Sequence, residues 1–153
     1  MPPLEFTYPY LLPPGLRQQK PRPSGPLYPL LPIQLYKENA KPRFFEALLD
    51  SGADGIFIPK FIAEILGLEK LGRVPTSGVL RSAHCFQTKV GLTIGFSKAR
   101  SIEFGIVDAI FPEEDADIPI LIGRNPVFKH FEVVFKEYLD TPKIHLRQIT
   151  SPK

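Results

Sequence analysis

At 153 residues, with 43% apolar side chains and a formal charge of +3, the chain has the size of one domain and enough apolar surface for a core of its own. Residues 1–32 carry +2 of that charge and the remainder only +1, with no basic run or stripe, which argues against a nucleic-acid partner. The single cysteine, Cys85, excludes an internal disulfide, and no apolar run approaches the roughly 20 residues of a membrane-spanning helix.

The start, Met1-Pro2-Pro3-Leu4-Glu5, lacks the charged region and apolar block of a signal peptide, so a cytoplasmic chain with no membrane partner is expected. Ten of the eighteen prolines fall in residues 1–32. Proline removes backbone donors and holds φ near polyproline II, so the reading is an extended arm with no regular helix or central strand. The arm also carries Phe6, Tyr8, Tyr10, Leu11, Leu12, Leu16, Tyr28, Leu30 and Leu31. These are too many apolar groups for a solvated linker, and part of the arm should lie against a folded body.

From Ile33 the pattern changes, and residues 33–153 read as the folded domain. Ile33–Tyr36 and Arg43–Leu49 flank a polar connection and predict a hairpin. Asp50-Ser51-Gly52-Ala53-Asp54 follows, and then Ile56-Phe57-Ile58. Pro59 can open a short helix with Phe61, Ile62, Ile65 and Leu66 on one face and Gly67 as its stop. Gly72 to Leu80 has the composition of a mobile hairpin tip.

Phe86, Val90, Leu92, Ile94 and Phe96 alternate with polar or small residues, which is the period of a half-buried strand, and Ile102 to Phe111 reads as another. Pro112 to Asp117 is an acidic loop whose spacing fits no EF-hand. The apolar run Ile118 to Ile122 ends at Gly123-Arg124; Asn125 as N-cap and Pro126 at the first position should then start a second short helix. Phe131, Val133 and Phe135 mark a further strand, and Ile144 with Leu146 a last one. Many short strands and two short helices make a mainly β chain, a closed or sandwich-like barrel.

An acid between two apolar strands is costly to bury unless it is paired. Taken alone, Asp-Ser-Gly is an ordinary turn sequence. The downstream run alters that reading. Leu48-Leu49-Asp50-Ser51-Gly52-Ala53-Asp54 resembles the active-site motif of retroviral-type aspartic proteases, the retropepsins. Ile120-Leu121-Ile122-Gly123-Arg124-Asn125 resembles their second motif, and a flap-like Thr76-Ser77-Gly78-Val79 stands between the two. The resemblance runs from about Ile33 to Leu146 and leaves the arm outside.

That resemblance implies a retropepsin-like closed β barrel, one lobe per chain, that works as a homodimer on peptide or protein substrates without metal or cofactor. It assigns Asp50 of each copy to a catalytic pair, with Ser51, Gly52 and Ala53 supporting it. Asp54 and Arg124 would form an ion pair beside the site, and Thr76, Ser77, Gly78 and Val79 would close over the substrate. The flap departs from the viral pattern in having one glycine, Gly78.

Other residues have plainer readings. His84 beside Cys85 supplies neither a positioned base nor a zinc set. His130 and His145 fall in the polar phase of strands, while Phe44 and Phe45 are expected in the core. Two alternatives to the protease stay open: an inactive relative that serves as a dimerisation or peptide-binding module, and a nucleic-acid-binding barrel, which the nearly neutral body opposes.

Overall fold

In the computed structural model, which describes residues 3–17, 19, 25–75, 84–97, 99–115 and 117–149, the first elements are β1 (Glu5–Pro9) and a single helical turn, α1 (Pro14–Arg17). Strands β2 (Leu30–Tyr36) and β3 (Arg43–Leu49) form the expected antiparallel hairpin, with Asn39 in the left-handed region (φ 64°) between them. Next come β4 (Ile56–Phe57), α2 (Lys60–Leu66), β5 (Gly72–Pro75), β6 (His84–Ser97) and β7 (Arg100–Pro112). A two-residue strand, β8 (Leu121–Ile122), leads into an irregular helical turn, Arg124–Phe128. The hairpin β9 (Phe131–Lys136) and β10 (Lys143–Gln148) follows.

Strand pairing runs β2-β3-β8-β4-β7-β6, and β2 also pairs with β6 through Ile33↔Ile94 and Leu35↔Leu92. Those six strands therefore close into a barrel, although β3 meets β8 only at Leu48 and Leu49 and β7 meets β4 only at Ala109 and Ile110. β5 hangs on the outer side of β6, and a second sheet, β1-β10-β9, stands apart from the ring. One core serves both: Phe6, Phe131, Ile144 and Leu146 from the small sheet pack in the same cluster as Leu31, Ile33, Ile94 and Ile122 from the barrel.

The arm is more ordered than its composition predicts. β1 pairs along β10, from Glu5↔Arg147 to Pro9↔Lys143, and Leu11 bridges Tyr28. The prolines avoid conflict by position: Pro9 ends its strand and Pro14 opens α1, where a helix has no use for an amide donor. Apolar side chains supply the binding energy, since Phe6, Tyr10 and Leu12 are buried. An Arg17–Glu46 ion pair ties α1 to β3.

Two facing assignments differ from expectation. Pro59 caps α2 from outside (φ −57°, ψ 147°), and Gly67 ends it at φ 67° with its amide on the Ala63 and Glu64 carbonyls. Ile62, Ala63 and Leu66 point inward, whereas Phe61 and Ile65 are 54% and 51% exposed. Two helical turns present one apolar stripe, and Phe61 and Ile65 lie one residue off it. On β3, Ala47 and Leu49 face the core, so Phe45 shares their phase while Phe44 points outward, 62% exposed.

The second short helix also begins differently. Asn125 retains extended torsions (φ −108°, ψ 132°), and the cap position falls on Gly123, which has no side chain to cap with. The Asn125 backbone is engaged elsewhere, at the loop after β3.

Candidate active site

Strands consecutive in sequence usually lie side by side, but β8 separates β3 from β4. It runs parallel to β3 (Leu48↔Leu121, Leu49↔Ile122) and antiparallel to β4 (Ile56↔Ile122, Phe57↔Leu121). The turn from Asp50 to Gly55 therefore crosses two strand spacings, about 9–10 Å, over the end of β8. That span requires an open loop instead of a tight hairpin.

Hydrogen bonds hold the loop to the chain that leaves β8. The Asp50 amide donates to the Ile122 carbonyl at 3.0 Å. In return Gly123, Arg124 and Asn125 donate their amides to Gly55, Ala53 and Asp54 at 3.0, 2.9 and 2.9 Å. The two sequence motifs thus meet backbone to backbone. A Cβ on residue 123 would collide with the Ala53 and Gly55 carbonyl oxygens, so this crossing admits only glycine. The requirement comes from close approach, since φ at Gly123 is −103° and any residue adopts that angle.

Within the loop, Gly52 donates its amide to Asp50 Oδ1 at 2.8 Å and Ala53 to the Asp50 carbonyl at 3.1 Å. A Cβ at position 52 would stand 3.2 Å from Asp50 Oδ1, so a small residue there preserves the carboxylate's position. Asp50 is half-buried, Ser51 and Asp54 are exposed, and the flanking Leu49 and Ile56 are buried. The sequence suggested a sequestered acid; in one copy of the chain the carboxyl group sits at the surface, at the end of a buried strand. Asp54 is ion-paired with Arg124, and both are solvent-exposed, so the pair contributes little stability by itself.

Thr76, Ser77, Gly78 and Val79 lie outside the described residues. The strands flanking them are antiparallel, with Val74 opposite Cys85 and Pro75 opposite His84. An Arg73–Glu113 ion pair and the Glu113 amide on the His84 carbonyl (3.0 Å) join this hairpin to the acidic loop. His84 is exposed and Cys85 buried, as adjacent strand residues on opposite faces must be, and they cannot form a thiol–imidazole pair. Among the described residues, no three His, Cys, Asp or Glu side chains are grouped to hold a metal ion, and no helix is long and apolar enough to cross a membrane.

One neighbour of the loop escaped the sequence reading. The Leu49 amide donates to the Pro29 carbonyl at 3.0 Å, so the arm passes beside the strand end that delivers Asp50. Leu27 and Tyr28, next along the arm, are exposed there. Their aromatic and aliphatic character was visible in the sequence; the Pro29–Leu49 bond beside them, between residues twenty positions apart, was not.

No protein-family model matches the chain, and no curated protein matches it in sequence. The structure is similar to that of a retropepsin-like aspartic protease from Rickettsia conorii, with a TM-score of 0.53 and 16% identity over 95% of this chain and 92% of that one. The retroviral protease-like domain of Ddi1 from Leishmania major gives a TM-score of 0.38 and 19% identity over 68% of this chain and 80% of its own. The first likeness establishes a retropepsin-like fold: mainly β, a six-stranded closed barrel with two short helices.

Proposed function

We propose that this retropepsin-like chain is one half of an aspartic endopeptidase, with Asp50 from each of two copies forming the catalytic pair. The observation that carries the reading is the backbone-bonded meeting of the Asp50 loop with Gly123-Arg124-Asn125 at the end of a buried strand. One chain supplies one such acid, so two are needed, and residues 33–153 carry the chemistry.

Two carboxyl groups brought within hydrogen-bonding distance cannot both ionise readily and share one proton over a wide pH range; aspartic proteases are the reference case for this coupling. The ionised member takes a proton from a water whose oxygen attacks the peptide carbonyl carbon. The protonated member donates to the carbonyl oxygen as negative charge develops there. When the C–N bond breaks, a carboxyl proton passes to the departing amine. In this scheme Ser51 hydrogen-bonds across the interface, and Gly52 and Ala53 give the substrate room. Asp54 with Arg124 braces the loop. Thr76, Ser77, Gly78 and Val79 close over a peptide held as an extended strand and exclude water.

The test is cleavage of a peptide library at mildly acid pH by the wild-type chain and by Asp50→Asn. The variant should be at least about 100-fold slower while melting within a few degrees of wild type. Equal cleavage by both would end the proposal, and a folded, dimeric wild type with no cleavage would favour the dimerisation-module reading.

A further inference from the structure

The arm meets the β2–β3 hairpin at two places that lead towards Asp50. On β3, Ala47 and Leu49 face the core, so Glu46, Leu48 and Asp50 belong to the opposite phase. α1 is tied to that phase, because Arg17 is ion-paired with Glu46.

The second attachment is at the end of the strand. β2 and β3 are in register from Leu35↔Arg43 to Leu30↔Leu48. One step on, the Leu49 amide donates to the Pro29 carbonyl at 3.0 Å, and the next step brings Tyr28 to the level of Asp50. There the chain leaves the ladder: the Leu30 amide donates to the Tyr28 carbonyl at 2.9 Å in a three-residue turn about Pro29. Tyr28 is taken up by the arm instead. It exchanges both backbone hydrogen bonds with Leu11, each at 2.9 Å, in an isolated antiparallel bridge.

Leu11 is itself anchored on both sides. Tyr10 and Leu12 are buried, and the Tyr10 amide donates to the Pro142 carbonyl at 2.9 Å. The arm therefore fixes the backbone of Tyr28, while the side chains of Tyr28 and Leu27 each stay 39% exposed.

We propose that the arm is one wall of the substrate cleft: Leu11 is a positioning residue that holds Tyr28 beside Asp50, and Tyr28 with Leu27 receives an apolar side chain of the peptide close to the scissile bond. The inference rests on the protease reading above. An aromatic ring offers a large apolar face, and its phenol can stay in water. Arg17 with Glu46 and Asp54 with Arg124 are already paired, so those charges are not available to select a charged side chain. On this account the arm cannot be removed from a working enzyme, because the residue it holds belongs to the site.

Kinetics of the full chain test it, on peptides from the library that wild type cuts. Tyr28→Ala should lower kcat/KM about tenfold or more where a large apolar residue flanks the cut, chiefly through KM, and by less where that residue is small. Tyr28→Phe should recover most of the loss. Leu11→Pro removes the amide that binds Tyr28 and should shift the cleavage preference in the same direction, whereas Leu11→Ala keeps the amide and the preference. Because Leu11 acts through Tyr28, the double variant Leu11→Pro/Tyr28→Ala should be no slower than the worse single variant.

Amide hydrogen exchange gives a second reading that does not require Leu11→Pro to fold. A peptide that wild type cuts, added to Asp50→Asn, should slow exchange at Leu11 and Tyr28 together by several-fold. A Tyr28→Ala preference identical to wild type, additive losses in a folded double variant, or exchange unchanged by a bound peptide would each overturn the wall and leave the protease reading in place. A wild type that cuts nothing in the library would overturn both.

Discussion

The amide of Asp50 donates to the carbonyl of Ile122 at 3.0 Å, so the acid hangs from the same two-residue strand that delivers Gly123 into its loop. The glycine is the tightest part of that joint. Replacing Gly123 with Ala forces the Ala53 and Gly55 carbonyls to move, and backbone cannot yield as a flexible side chain does. The expected cost is about 1–3 kcal/mol of stability. Urea denaturation would measure it, and a midpoint unchanged from wild type would show that the loop and the turn after β8 are not mutually fixed.

The ion pair beside that joint should matter less. Asp54 and Arg124 are both well exposed, and exposed pairs contribute little against solvent screening. Asp54→Asn should lower stability by less than about 1 kcal/mol, because the Asn125 amide still binds the residue-54 carbonyl. A loss of several kcal/mol in the same urea experiment would assign the pair a structural role that its exposure does not explain.

Removal of the arm's anchors tests whether it belongs to the fold. Phe6 is buried and stacks edge-on to Phe131 at 6.4 Å between centroids. Phe6→Ala should cost about 3–5 kcal/mol and lower the thermal midpoint by roughly 6–20 °C. Circular dichroism melting would decide it. An arm that is shed in the mature protein would make the substitution silent.

Alkaline pH reports on the same contact region. Burial, together with a hydrogen bond to Glu137, pushes the Tyr10 phenol from 10 up to about 12. The folded state therefore keeps its proton where the unfolded state loses it. That stability is fully present below pH 10 and is lost as pH rises from 10 towards 12, at up to about 1.4 kcal/mol per pH unit. Chemical denaturation of Tyr10→Phe should show a shallower decline than wild type across that window. Parallel declines would mean that the phenol is not held by the fold.

Local pattern made most of the strands legible. The alternation of Val90, Leu92 and Ile94 and the polar break between Tyr36 and Arg43 are properties of neighbouring residues, and the pleat of a strand expresses them directly. Facing was harder where elements are short. Phe44, Phe61 and Ile65 are apolar yet point outward, because a two-turn helix or a seven-residue strand exposes one of its sides whatever its composition.

For the candidate site, the sequence by itself determined the chemical groups: one Asp-Ser-Gly turn after an apolar run, and a Gly-Arg-Asn after another. Only the tertiary structure decided that the two touch, that Gly123 is obligatory for steric reasons, and that the proline-rich arm closes a sheet on β10 and passes beside Leu49. The difference is one of range. Turn chemistry and strand period act between residues a few positions apart, whereas the insertion of β8 between β3 and β4 joins segments some seventy residues apart. That pairing is selected by the closure of the barrel as a whole, which no local stretch encodes.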